Sequence, residues 1–177
     1  MDQHTLSVRE LQERDIDLIV NYWLESDPDH LLGMGVDLKK LPTRAGLSEM
    51  LLAQVNQTVE KKQSYCMIWE VDQQAIGHCN VNKIIFGEEA YMHLHLWHKH
   101  TRKKGIGHNL VKMTVPFFFK SLQLKKLYCE PYALNPAPNK TLEKTGFTFL
   151  KKHTTIPGTL NFEQEVNLWV LTAENVH

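Results

Sequence analysis

Thr101-Arg102-Lys103-Lys104-Gly105-Ile106-Gly107-His108-Asn109-Leu110 is the stretch on which the reading of the whole chain turns. Before it, Tyr91 to Trp97 alternates as a strand does. After it, Ile106, Leu110, Met113 and Phe117 recur at helical spacing, so the stretch is a glycine-punctuated turn from strand to helix. Such a junction is an anion site. Gly105 and Gly107 let the backbone come close to a ligand, and the first helical N–H groups have no partner within the helix. Arg102, Lys103 and Lys104 add charge beside the positive end of the helix dipole. The spacing is not that of a nucleotide triphosphate loop, and no third glycine completes a dinucleotide fingerprint. The stretch reads as the seat of some other phosphate-bearing cofactor, or else as a plain solvated helix start.

Composition sets the frame. At 177 residues the chain is expected to be a single domain, 1–177, long enough for a full core. Lys plus Arg and Asp plus Glu stand at 20 each, so no overall basic field favours nucleic acid or an anionic membrane surface; the ten histidines make the balance pH-sensitive. Cys66, Cys79 and Cys129 each sit in an apolar, strand-like run without metal-ligand spacing, which points to buried reduced thiols and no metal site. With no apolar signal core and no run near the ~20 residues of a membrane span, a cytoplasmic protein is expected.

In chain order, Thr5 to Glu10 reads as a strand, and Asp15, Ile16, Leu18, Ile19, Tyr22 and Trp23 mark a helix. Ser26 to Arg44 reads as a long folded-back functional loop, and Leu47 to Val59 as a second helix. Tyr65–Val71, Ala75–Ile85 and Tyr91–Trp97 form a meander. The following helix carries Pro116, which predicts a kink or an early end. Leu127 to Glu130 is a strand and Asn135 to Thr145 a short helix: Asn135 suits the N-cap, Pro136 and Pro138 the first turn, and Gly146 the left-handed C-terminal position. Phe147–Thr155 and Phe162–Thr172 close the chain as strands.

With this order in place, Arg102-x-x-Gly105-x-Gly107 opening a helix, followed by a strand and a helix ending Leu142-Glu143-Lys144-Thr145-Gly146-Phe147, resembles the GNAT acyl-CoA N-acyltransferase superfamily. Asn135-x-x-Pro138-Asn139 makes it similar to the Rim-type N-acetyltransferases. The resemblance implies an α/β (α+β) fold: a mixed, mostly antiparallel central sheet of about seven strands, splayed between the fourth and fifth, flanked by about four helices. It implies acetyl-CoA as cofactor. The pyrophosphate would lie on Arg102, Lys103, Lys104, Gly105, Ile106 and Gly107, the pantetheine arm on Leu96 and Trp97, and Asn135 and Asn139 would face the cleft. Trp97 is expected to supply the backbone donor for the thioester carbonyl.

Acyl transfer to an amine also requires a route for the amine's proton and a proton for the leaving thiolate. Tyr91, His93, His95 and Trp97 share one strand face, which makes His93 and His95 candidate bases, or else half-buried strand residues. The resemblance favours His93. Glu130, at the end of the next strand, is the other candidate, for binding the amine's charge or relaying a proton. Many superfamily members carry a tyrosine where this chain has Leu142, so the acid must come from elsewhere; Tyr128 and Tyr132 are nearby in sequence. In the loop, Asp27, Asp29, His30, Asp37 and Arg44 are candidates to line an amine site, or ordinary surface charges. The expected activity is acetyl transfer to a primary amine of a small molecule or a protein N-terminus by direct attack on the thioester. The alternative is a non-catalytic acyl-CoA-binding regulatory module. Monomer and homodimer are both compatible with the sequence, and neither a nucleic-acid nor a membrane partner is expected.

Overall fold

Residues 4–98, 101 and 105–176 are described by a computed structural model. Seven strands, β1 (Leu6–Glu10), β2 (Tyr65–Val71), β3 (Gln74–Ile85), β4 (Glu89–Leu96), β5 (Lys126–Cys129), β6 (Thr148–Thr155) and β7 (Gln164–Thr172), make one sheet in the order β1-β2-β3-β4-β5-β7-β6. Every neighbouring pair is antiparallel except β4 and β5. Five α-helices flank it: α1 (Ile16–Glu25), α2 (Pro28–Gly33), α3 (Arg44–Asn56), α4 (Gly107–Leu122) and α5 (Pro136–Lys144). The fold class is as the resemblance implied, with α2 as an additional helix.

That helix lies in the stretch expected to be a loop. Asp27 caps it by accepting from the Asp29 N–H at 3.0 Å, and Pro28 occupies the first turn, where no N–H is needed. Six residues are too few for a hydrophobic period to show. Pro116 neither ends nor shortens α4, which runs sixteen residues with the proline on its exposed side.

Strand alternation divides the core in two. On one face α4 and α5 pack Leu110, Val115, Phe118, Leu122 and Leu142 against Met67, Trp69, Cys79, Val81 and Met92. The Trp69 indole donates to Thr114 Oγ1 at 2.8 Å, and that hydroxyl donates to the Leu110 carbonyl, so this polar pair within the layer is satisfied. On the other face α1 and α3 pack Ile19, Val20, Tyr22, Leu47 and Leu51 against Cys66, Ile68 and Trp97. This second layer is smaller and leaves part of the sheet uncovered.

Candidate active site

The uncovered part is where β4 loses its neighbour. β4 pairs with β5 from Glu89↔Lys126 to Met92↔Cys129 and no further, while β4 runs on to Leu96. Cys129 Sγ donates to the Met92 carbonyl at 3.0 Å where the ladder ends. Beyond it the sheet is split, and the next residue on each lip, His93 and Glu130, faces the α1/α3 side. One step before the split, on the same face, Tyr91 and Tyr128 stack with ring centroids 5.1 Å apart.

A cavity of about 510 Å³ opens on this split. Its floor is β3 and β4 (His78, Asn80, Asn82, His93, His95), and its apolar wall comes from α1, α3 and the connector between them (Trp23, Met34, Val36, Met50, Leu51). Its roof is the loop from Pro157 to Asn161. Gly158 lies over His93 so closely that a Cβ there would stand 3.8 Å from the imidazole Cε1. The connector and this loop are joined by Gly35, whose carbonyl accepts from Asn161 Nδ2 at 2.9 Å and Gln164 Nε2 at 2.8 Å. Gly35 has φ 81, and a Cβ on it would overlap the Gln164 side chain at 2.1 Å, so no other residue fits the clasp.

His93 donates from Nε2 to Asn82 Oδ1 at 3.0 Å, which leaves Nδ1 as an acceptor. Loss of hydration, helped by the nearby Lys83 cation, lowers its pKa to about 4. His95 stacks on His78 with centroids 4.5 Å apart and shares a contact at 3.3 Å with the Tyr22 hydroxyl. His78 accepts from the Trp97 indole at 2.8 Å. Burial pushes the pKa of His78 down to about 3 and that of His95 well below the ordinary value. All three imidazoles are neutral at physiological pH.

Glu130, with a side chain only 8% exposed, meets His153 Nε2 at 3.2 Å and Lys83 Nζ at 3.8 Å. Lys83 reaches across the sheet because β3 breaks register between Asn82 and Ile85, with Lys83 itself at φ 48. Its ammonium lies 4.7 Å from the Tyr91 ring centroid.

The other expected site residues divide. The backbone N–H of Trp97 donates to the Ile76 carbonyl at 2.9 Å, so it faces β3 and not the split. By alternation along β4, the N–H groups of Leu94 and Leu96 are the ones directed to the β5 side. Asn139 is fully engaged inside the protein: its amide donates to the carbonyls of Tyr132 and Asn135, and its oxygen accepts from Asn167 and Trp169, both at 2.9 Å. It ties α5 to β7. Asn135 lines the cavity and caps α5 by accepting from the Ala137 N–H at 3.4 Å. Gly105 has φ 73, and α4 begins at Gly107 behind Ile106, an N-cap whose side chain caps none of the first N–H groups. Gly107 leaves space beneath Thr141. Arg102, Lys103 and Lys104 lie outside the described residues.

Leu142 is fully buried in the core, and Tyr132 is the one tyrosine among the described residues lining the cavity. Of the connector's charged residues, Asp27 and Asp37 cap helical turns and Arg44 pairs with Glu25 at 2.8 Å. Asp27 and His30 line a separate hollow of about 520 Å³ on the far side of Tyr22. His78, Asn80, Asn82 and Lys83 were missed in the sequence, although His78, Asn80 and Asn82 alternate as polar residues within an otherwise apolar strand. Among the described residues no cluster could hold a metal ion, and no helix is long and apolar enough to cross a membrane.

Comparison with known proteins agrees with this geometry. The solved structure of RimL, a ribosomal L7/L12 alpha-N-protein acetyltransferase in complex with coenzyme A, superposes with a TM-score of 0.78 at 13% identity, covering 97% of this chain and 96% of that one. Spermidine N-acetyltransferase from Vibrio cholerae, in complex with CoA and spermine, gives 0.78 at 17% identity over 97% of each chain. The ribosomal-protein-S5-alanine acetyltransferase from Vibrio fischeri gives 0.78 at 18% identity, covering 99% and 100%. A search of curated proteins finds no match. The family model of the acetyltransferase (GNAT) domain matches residues 5–148, and the chain belongs to that family.

Proposed function

We propose that this chain is a single-domain, acetyl-CoA-dependent N-acetyltransferase that acetylates a primary amine, of a small molecule or a protein N-terminus, by direct attack on the thioester. The observation that carries this reading is the split beside Met92↔Cys129, with His93 and Glu130 on its lips and a cavity above it. The residues fit the cofactor: the start of α4 behind Gly105, without a side-chain cap, suits a pyrophosphate, and the stretch of β4 beyond its pairing with β5 suits an extended pantetheine arm. Acetyl-CoA supplies the activated acyl group.

This chain's own residues then divide the work. Glu130 attracts the ammonium into the cavity, where it gives up one proton to solvent and so frees the lone pair that attacks the thioester. The Leu94 N–H, directed into the split, donates to the carbonyl oxygen as negative charge develops there; this role passes to it from Trp97, whose N–H is committed to Ile76. As the amine nitrogen bonds to carbon it becomes strongly acidic, so a neutral imidazole of low basicity is sufficient, and His93 Nδ1 takes the proton directly or through water. Tyr132, which lines the cavity, protonates the departing sulfur in this reading.

The test is free-thiol release with acetyl-CoA and a panel of amines. His93→Gln is expected to lower kcat by roughly 10²-fold or more with acetyl-CoA affinity unchanged by calorimetry. With His93 neutral, the rate should rise with pH up to the amine's own pKa, without an inflection near ~6.5. Saturable acetyl-CoA binding, with His93→Gln and Glu130→Gln both silent, would replace this reading by a non-catalytic acyl-CoA-binding module.

A further inference from the structure

We infer that the cavity selects acceptors bearing a single ammonium group on an uncharged body and rejects polyamines. This rests on the acetyltransferase reading and deepens it. Among the described residues that line the cavity, Glu130 is the one charged side chain. The remainder are apolar groups, amides, hydroxyls and imidazoles, and loss of hydration holds the imidazoles facing the space uncharged. A second or third ammonium brought into this enclosure would meet no carboxylate, and an unpaired buried charge is strongly unfavourable. Even the charge of Glu130 is partly answered within the protein, by Lys83 at 3.8 Å and His153 at 3.2 Å.

The cavity is not merely apolar. The side-chain amides of Gln57, Gln63 and Asn80 also line it. Amide oxygens accept from the N–H donors of a ligand. The wall therefore asks for one cation, two or more neutral N–H donors and an apolar flank from Trp23, Met34 and Met50. A peptide N-terminus with uncharged leading residues and a small amide-bearing monoamine share that chemistry. The carboxylates that would suit further cations, Glu25 and Asp27, line the separate hollow beyond Tyr22.

The decisive experiment measures kcat/KM on the intact protein for three acceptors: an uncharged tripeptide amide with a free N-terminus, a small monoamine with a neutral amide, and spermidine. At least one singly charged acceptor is expected to exceed spermidine by roughly 100-fold or more, matching the cost of leaving one buried charge unpaired. Which of the two leads identifies the source of the ammonium. In Gln54→Glu, which adds a second carboxylate to the wall, that gap should narrow by about tenfold or more. Spermidine equal to or better than both singly charged acceptors overturns the selectivity while leaving the acetyltransferase reading intact. No turnover with any of the three, despite acetyl-CoA binding, overturns both.

Discussion

The two faces of the sheet are built from the same strands. On β4, Met92, Leu94 and Leu96 turn toward α4 and α5, where they join a layer of apolar side chains with a satisfied polar pair. Tyr91, His93, His95 and Trp97 turn the other way, toward a layer that leaves a cavity, buries His78 and half-buries His93 and His95. The first face is filled to exclude everything; the second keeps polar groups dry and space open. A period of two thus lets a single strand supply both a foundation and a site, and substitutions on the two faces should report in different assays.

At neutral pH the largest effect on stability is expected on the filled face. Phe118→Ala empties a fully buried position and should cost about 3–5 kcal/mol in urea unfolding, with kcat little changed while the protein remains folded. A loss below about 1 kcal/mol would mean that this face is less tightly packed than its burial indicates.

A second effect, absent at neutral pH, belongs to the open face and appears on acidification. His78 and His93 have folded pKa values of about 3 and about 4, and that of His95 is also depressed, all below the ~6.5 of an unfolded histidine. As pH falls, the unfolded chain takes up these protons first. The stability due to neutral burial is therefore complete above about pH 6.5 and is lost on descending toward pH 4, by up to about 1.4 kcal/mol per histidine per pH unit. Asp15, held below its ordinary value by Arg9 against the opposing effect of burial, is lost only at lower pH, so the two windows separate. Unfolding free energies at pH 7, 6, 5 and 4 test this, and His93→Gln should remove about one third of the slope. A flat profile would show that the imidazoles are hydrated.

Smallest is the effect of Lys83, which touches the open face from outside. Lys83→Met should move the His93 titration upward by NMR, with kcat/KM falling less than about fivefold because the ammonium is 45% exposed. Lys83→Arg should restore the wild-type titration; a purely structural role for Lys83 would leave His93 unmoved.

Much of the fold was legible because its signals are local. Alternation located the strands to within about two residues, and Asn135, the prolines after it and Gly146 marked both ends of α5. The helix α2 escaped because its length is under two turns, although Asp27-Pro28 carries a capping signature. In the site, His93, His95 and Glu130 could be set on their faces from period and order alone. What could not be read was pairing. Whether Trp97 offers its N–H depends on Ile76, and whether Asn139 is available depends on Asn167 and Trp169. The polar column of His78, Asn80 and Asn82 becomes a cavity floor only once the register sets His78 beside His95 and Asn80 beside His93.

The Gly35 clasp bears on the order in which the molecule is made. Its carbonyl binds side chains 126 and 129 residues later in the chain, and the Asp37 N–H meets the Leu160 carbonyl at 2.8 Å. The apolar layer from β2 to β5 and α4 is complete in sequence by Cys129, before any residue of the roof has left the ribosome. During synthesis, then, a nascent chain can bury much of its filled face while the cavity still lacks its roof, and the cover over His93 is assembled last. A chain ending before Gly158 would leave His93 open on that side, while Tyr22 and Trp23 already lie against His78 and His95.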